Sequence, residues 1–149
     1  MVHMAYVDLA RSHVKECLRE AFDLPRLVVD DDGDVPFQAG TAVYYVSVDP
    51  EGRRARVWSI AVRGVKVSAA VLRELNEASR ALELSRVFAV SDRLVVEGTV
   101  TVDGLTATEL RALCVEVGDT ADRLGQLVAT VHGGEVALPP DEICEECGH

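Results

Sequence analysis

Two stretches of alternating β-branched and aromatic residues constrain the fold of this chain more than any other feature. The first covers residues 42–62 and is interrupted by Asp49-Pro50-Glu51-Gly52, and the second covers residues 87–102 and is interrupted by Ser91-Asp92-Arg93. A period of two is typical of β-strands, and Asp, Pro and Gly between two such runs favour a reverse turn. The sequence therefore predicts two β-hairpins, strands 42–48 with 54–62 and 87–90 with 94–102, in an antiparallel sheet.

Three amphipathic helices flank the predicted hairpins. Apolar residues recur at steps of three and four along residues 5–24, along the segment that follows Ser68, and from Thr106 to Val131, which is the spacing of one helix face. Ser68 and Thr106 are residue types that cap helix N-termini, and Gly133-Gly134 favours a helix end.

A further short strand is predicted at Leu27-Val28-Val29, before an acidic turn. The element order is then helix, three strands, helix, two strands, helix. Hairpins with interspersed helices favour an α+β fold with an antiparallel sheet of about five strands, rather than a parallel sheet. The length of 149 residues suits one domain. We expect that domain to cover residues 1–134, with residues 135–149 forming a flexible acidic tail.

The charge of the chain argues against nucleic acid as a partner. Fifteen basic and 25 acidic side chains give a formal net charge of −10, which repels a phosphate backbone. The longest uncharged run has 14 residues, residues 35–48, and is too short and too polar to span a membrane. Charged residues throughout the first helix predict no signal peptide. We therefore expect a cytoplasmic protein that contacts neither nucleic acid nor membrane.

The sequence contains no recognisable catalytic motif. Neither a glycine-rich phosphate-binding pattern nor a G-x-S-x-G nucleophile pattern occurs. The acidic run at residues 30–34 lacks the first and last ligands of a calcium loop, so it is interpreted as a turn. His13 and His132 lie within helical patterns, where packing and capping account for them. The prediction is a protein that is not an enzyme.

The densest cluster of metal-binding residue types is at residues 144–149. Cys144, Cys147 and His149 fall within six residues, and two thiolates at this spacing can share a zinc ion. A closed site needs a fourth ligand, for which His132 or another subunit is available. The alternatives are thiols without a ligand or, less favoured by the acidic surroundings, a redox pair. A zinc-binding or thiol-based regulator is therefore the second hypothesis, beside a protein without a cofactor.

The first hairpin carries apolar residues on both faces. We assign Val43, Tyr45 and Val57 to one side and Tyr44, Trp58 and Ile60 to the other. A sheet covered by helices on one side only would expose such a face, and an exposed apolar patch indicates an interface. The residues predicted to bind a protein or peptide partner are Val43, Tyr45, Arg54, Arg56, Val57 and Trp58. The two arginines form the rim and attract an acidic segment. The competing interpretation has helices on both faces and no free surface.

From about Ala5 to Gly134 the chain resembles the YbjN-type family, whose fold is similar to that of type III secretion chaperones. The resemblance implies a small cytoplasmic domain of chaperone or adaptor type that holds a protein segment, often as a homodimer. It implies no catalytic chemistry, and the segment after Gly134 lies outside it. The matching features are the acidic turn Asp30-Asp31-Asp32-Gly33-Asp34, the strands at residues 43–48 and 57–62, Leu75-Asn76-Glu77, the strand Arg86-Val87-Phe88-Ala89-Val90 and the long last helix.

Overall fold

The computed structural model of the chain describes residues 2–24, 27, 29, 34–40 and 42–136, with side chains from Tyr6 onward. Three helices and six strands follow one another within these residues. They are α1 (Val2–Phe22), β1 (Val35–Ala39), β2 (Ala42–Val48), β3 (Arg54–Arg63), α2 (Ala69–Arg80), β4 (Ser85–Val90), β5 (Arg93–Thr101), α3 (Ala107–His132) and β6 (Glu135–Val136).

All pairings in the sheet are antiparallel. Five strands lie in the order β1-β2-β3-β5-β4, and the short β6 pairs with the end of β3 beyond β2. The predicted fold class is thereby confirmed, as are both hairpins. The turn between β2 and β3 is closed by a hydrogen bond from the Asp49 N–H to the Arg54 carbonyl (2.9 Å), and Gly52 in this turn adopts a positive φ of 73°.

Several predicted boundaries differ from the structure, and the largest difference is at the first strand. The first strand is β1, Val35–Ala39, and not Leu27–Val29: Leu27 and Val29 are not in a strand, and Val28 lies outside the described residues. In β1, Val35 and Phe37 are buried while Pro36 is exposed, and an edge strand tolerates proline because one side of its backbone has no neighbour. The sheet also continues to Val136, two residues past the expected domain end at Gly134.

All three helices pack on the same face of the sheet. α3 contacts β2, β3, β4 and β5, whereas α1 contacts α3 and β2, and α2 contacts β4 and α3. Their apolar stripes meet alternate residues of the strands in one continuous core that includes Leu18, Tyr44, Val57, Leu75 and Leu113. The interpretation with helices on both faces is therefore wrong for the part of the chain that the structure describes.

Two of the helix caps are those that the sequence predicts. The Ser68 hydroxyl accepts a hydrogen bond from the Val71 N–H (3.2 Å), and the Thr106 hydroxyl accepts one from the Glu109 N–H (3.2 Å). Gly133 ends α3 with a positive φ of 83°, a conformation that favours glycine. This end turns the chain back toward the sheet, where Glu135 and Val136 pair with β3.

Glycines in α3 allow this helix to lie directly against the sheet. A Cβ atom at Gly118 would overlap the hydroxyl of Tyr44 on β2, and one at Gly125 would lie 2.7 Å from the Ala61 carbonyl oxygen on β3. At Gly125 the helix therefore lies directly on the backbone of β3, and at Gly118 it lies against the end of the Tyr44 side chain. Small residues at these positions set the distance between helix and sheet.

We predict that Gly118→Ala destabilises the domain, although alanine favours helices over glycine by about 1 kcal/mol. The overlap with Tyr44 should cost about 1–3 kcal/mol, because side chains in a close-packed core cannot yield freely. Thermal and urea unfolding would measure the change. Tyr44→Phe removes the overlapping hydroxyl, so the double variant should recover part of the loss. A stabilised Gly118→Ala protein would show that α3 lies farther from β2.

Candidate functional site: the uncovered face of the sheet

The face of the sheet opposite the helices is not covered by any described element. One row of residues crosses all five long strands of this face: Pro36 pairs with Tyr45, Tyr45 with Trp58, Trp58 with Glu97, and Glu97 with Arg86. Directly paired residues project from the same side of a sheet. We call this side the front face. Its members on the four strands β2 to β5 include Val43, Tyr45, Arg54, Arg56, Trp58, Ile60, Arg86, Phe88, Arg93, Val95, Glu97 and Thr99.

The aromatic side chains of the front face are stacked and half-exposed. The rings of Tyr45 and Trp58 lie 5.5 Å apart with planes inclined by 21°. The guanidinium of Arg56 lies 4.5 Å from the centre of the Trp58 ring, and that of Arg86 lies 5.2 Å from the Phe88 ring. Cation–π contacts of this kind hold the arginine side chains down along the sheet. The result is a flat platform of rings and guanidinium groups.

Glu97 fixes the positions of the two arginines. Its side chain is only 7% exposed, and its two oxygens bind Arg56 Nε at 3.2 Å and an Arg86 terminal nitrogen at 2.8 Å. Arg56 and Arg86 are 54% and 73% exposed, so water and ligands reach both guanidinium groups. A buried carboxylate between two exposed arginines orients their remaining N–H donors and leaves an excess of positive charge.

A shallow depression of about 380 Å³ lies where the front face meets the turn between β2 and β3. Its lining residues are Ser47, Val48, Asp49, Pro50, Arg54, Arg56 and Thr99. The depression thus combines apolar surface from Val48 and Pro50 with the guanidinium donors of Arg54 and Arg56, which suit a carbonyl or carboxylate.

A carboxylate on α3 positions strand β4, which carries Arg86 and Phe88. Glu116 accepts hydrogen bonds from the N–H groups of Glu83 and Leu84 (both 2.9 Å) and from the Ser85 hydroxyl (2.6 Å). Burial alone would raise the pKa of Glu116, but these hydrogen bonds outweigh it and lower the pKa. Glu116 is thus ionised at neutral pH and holds the segment between α2 and β4.

The structure brings five of the six predicted partner-binding residues together. Val43, Tyr45, Arg54, Arg56 and Trp58 all belong to the front face. That they bind a partner stays a prediction. Val57 is placed wrongly: it is 0% exposed and lies on the helix-covered face, paired with Val46. The two strands pair so that Tyr45 faces Trp58, which is one residue away from the assumed register, and a one-residue shift reverses the face.

The sequence analysis did not identify Arg86, Phe88 and Glu97 as members of this surface. The sequence pattern of the second hairpin does indicate that Glu97 and Arg86 lie opposite each other. Glu97 is the one charge within the apolar alternation of residues 94–102, and counting back through the turn at residues 91–92 places it opposite Arg86. Opposite charges directly across two strands favour each other. Their relation to Arg56 depends on the pairing of β3 with β5, which no local pattern indicates.

Cys144, Cys147 and His149 lie outside the described residues, so the zinc hypothesis stays a prediction. No group of three or more His, Cys, Asp or Glu residues suited to a metal occurs among the residues that the structure describes. His132 lies 4.0 Å from Glu74. Cys17 and Cys114 are free and buried, and burial raises the pKa of Cys114 to about 12, so its thiol stays protonated. Of the described helices, none is long and apolar enough to cross a membrane.

Comparison with known proteins identifies the family to which the chain belongs. The model of a family described as "T3SS (YopN, CesT) and YbjN peptide-binding chaperone 1" matches residues 8–140. The match covers most of the chain, and the chain belongs to this family of peptide-binding chaperones. The predicted family and the predicted general function are thereby confirmed. No curated protein sequence matches the chain.

Solved structures of low sequence identity share the fold. The Yersinia pestis type III secretion chaperone SycH, crystallised with a fragment of YscM2, is 12% identical with a TM-score of 0.60, over 77% of this chain and 98% of its own. A chain of the ExsC–ExsE complex is 17% identical with a TM-score of 0.62, over 78% and 93%. YbjN from E. coli is 12% identical with a TM-score of 0.60, over 80% and 91%.

We predict that Glu97→Gln destabilises the domain by about 1–3 kcal/mol, because hydrogen bonds to a charged group contribute that much and two arginines lose their carboxylate. Arg80→Gln serves as the control, since it breaks an exposed ion pair with Glu77 on α2 and should cost less than about 0.5 kcal/mol. Urea unfolding at neutral pH measures both. Equal effects of the two substitutions would show that Glu97 does not organise the front face.

Proposed function

We propose that this chain acts by binding an extended segment of a partner protein across the front face, without catalysis. The observation that carries the proposal is the uncovered platform of Tyr45, Trp58 and Phe88 with the arginines fixed by Glu97. Membership of a peptide-binding chaperone family supports it. One structural relative, SycH, is described as a type III secretion chaperone in complex with a fragment of YscM2, which supports a protein partner for this chain as well.

The chemistry of the front face defines the segment that fits it. Stacked aromatic rings favour apolar or aromatic side chains, because such contacts bury large area on a rigid surface. Exposed guanidinium groups favour carboxylates or backbone carbonyls on either side of those anchors. An extended segment places alternate side chains on the platform. The preferred partner segment therefore alternates apolar and acidic residues.

The affinity should depend on Tyr45 and Trp58. Random peptides of about 12 residues, ~40 Å when extended, can be selected on the wild-type protein and their dissociation constants measured. We expect selected sequences to alternate apolar and acidic residues. Tyr45→Ala combined with Trp58→Ala should weaken binding tenfold or more, because central aromatic residues contribute about 1.4 kcal/mol or more each to such interfaces.

The matched control replaces two exposed leucines on the helices, Leu72→Ala and Leu127→Ala. This variant removes similar apolar area from another surface and should bind the selected peptides as the wild type does. Peptides that bind the Tyr45/Trp58 variant unchanged, or that lose affinity only with the leucine variant, would move the binding site to the helices and overturn the proposal.

We also propose that the protein is cytoplasmic and forms a homodimer through its helix side. Large apolar side chains remain exposed on α2 and α3, Leu72 at 51%, Leu127 at 45% and Val131 at 62%, and a symmetric contact between two copies would bury them. Light scattering at increasing concentration should give twice the monomer mass. Leu127→Asp should lower it to the monomer mass while leaving peptide binding unchanged; a wild-type monomer at every concentration would contradict the dimer.

A further inference from the structure

The front face concentrates positive charge in a strongly acidic chain. Residues 51–100 hold nine of the 15 basic side chains. Arg54 and Arg56 lie on the front side of β3, and Arg86 lies on the front side of β4. Arg93 lies on β5, where it shares the front side with Val95 and Glu97, which follow it at every second residue. The acidic groups near these arginines are Glu97, Asp49 at the depression and Asp92 in the turn between β4 and β5, together with Glu135, which pairs with Arg63 across β3 and β6.

A fifth arginine, Arg63, extends this positive surface to the end of β3. Val62 pairs with Leu94, whose side chain lies in the core, so the next residue projects to the front. The Nε atom of Arg63 is buried and has no hydrogen-bond partner among the described residues, although Glu135 on β6 is paired with Arg63 on the same side of the sheet. A buried guanidinium nitrogen without an acceptor is costly, and a carboxylate is the acceptor that suits it best.

The chain itself leads an acidic segment to this position. β6 pairs Glu135 with Arg63 and Val136 with Val62, antiparallel to β3. At Val136 the backbone therefore points back along β3 toward Trp58, but β2 already pairs with β3 on that side from Ala55 to Trp58. The helix side of the sheet is filled by α3, which contacts β2 and β3. The front face is the open side.

Residues 137–149 match the front face in charge and length. This segment, which we call the acidic segment, contains Asp141, Glu142, Glu145 and Glu146 and no basic residue except His149. From Val62 to Arg56 the strand spans about 20 Å at ~3.3 Å per residue. Asp141 is five residues beyond Val136 and Glu146 is ten, so extended backbone places these carboxylates within about 17–33 Å of β6.

We propose that the acidic segment docks on the front face, where its carboxylates bind the arginines from Arg63 to Arg54 and its backbone covers Trp58. The occupant is intramolecular, so its local concentration is high and a partner peptide must displace it. This competition rests on the proposed function, whereas the docking itself does not. The segment would then select partners that are more acidic or more aromatic than residues 137–149.

Trp58 is the only tryptophan of the chain, so its fluorescence reports on the front face directly. The test compares the full chain with a full-chain variant that carries Asp141→Asn, Glu142→Gln, Glu145→Gln and Glu146→Gln, in reducing buffer with a chelator. We expect Trp58 of this variant to emit at longer wavelength, because the acidic segment no longer covers its ring. The acrylamide quenching constant of its fluorescence should rise about twofold. Added salt should produce the same change in the wild type, because it screens exposed charges.

A second full-chain variant carries the same change of four charges elsewhere: Glu20→Gln, Asp23→Asn, Glu83→Gln and Asp119→Asn, all exposed residues away from the front face. It should retain the wild-type emission and quenching. Arg54→Gln with Arg93→Gln, which leaves Trp58 and its Arg56 contact intact, should reproduce the effect of neutralising the acidic segment. Identical quenching in the wild type and the segment variant would overturn the docking.

Peptide affinity separates this inference from the proposed function. If both hold, peptides selected for Trp58-dependent binding should bind the segment variant about three- to tenfold more tightly than the wild type. Equal affinity together with unchanged quenching refutes the docking and leaves the peptide site in place. A quenching change without any Trp58-dependent peptide binding supports the docking and refutes the proposed function.

Discussion

The one-sided packing of helices on the sheet is the constraint on which the rest of the structure depends. α3 lies against β2 and β3 at distances that only Gly118 and Gly125 permit, and α1 and α2 pack beside it on the same side. One side of the strands is therefore filled completely, with Leu110, Leu113, Val117 and Val128 at 1% exposure or less. Since close-packed cores do not yield freely, the helices cannot shift to cover both sides.

The front face is stable in water because its apolar rings are interleaved with charge. An uncovered sheet face made only of apolar side chains would associate indiscriminately. Here Arg56 lies over Trp58 and Arg86 near Phe88, and Glu97 holds both guanidinium groups in place. In the proposed function, the same arrangement also makes the front face selective, because guanidinium groups and aromatic rings favour different side chains of an extended segment.

Positive charge on this face matters because the chain as a whole is acidic. A net charge of −10 repels acidic segments from most of the surface, while the arginines of the front face attract them. In the proposed function, the field of the protein therefore guides an acidic segment to the front face. Glu116 on α3 supports this indirectly, since its hydrogen bonds hold the start of β4 and thereby the strand that presents Arg86.

The sequence by itself determined the hairpins, the three helices and their caps. These depend on contacts within a few residues: the turn at residues 49–52, the hydroxyls of Ser68 and Thr106, and the apolar period of each segment. Residues of one strand could also be assigned to alternating faces, so that Arg54, Arg56 and Trp58 were grouped correctly. The first strand was misplaced because Val35–Ala39 contains Pro36, which argues against a strand unless that strand is known to lie at an edge.

Only the tertiary structure decided which faces of different strands combine. The pairing of Tyr45 with Trp58 sets the register of β2 and β3, and a shift of one residue is enough to put Val57 on the wrong side. The meeting of Arg56, Glu97 and Arg86 requires the long-range pairing of β3 with β5, 41 residues apart along the chain at Arg56 and Glu97. A local sequence pattern shows the alternation of residues within a strand, but it does not show which strand pairs with it. The register between strands is set by the packing of the whole sheet against the helices.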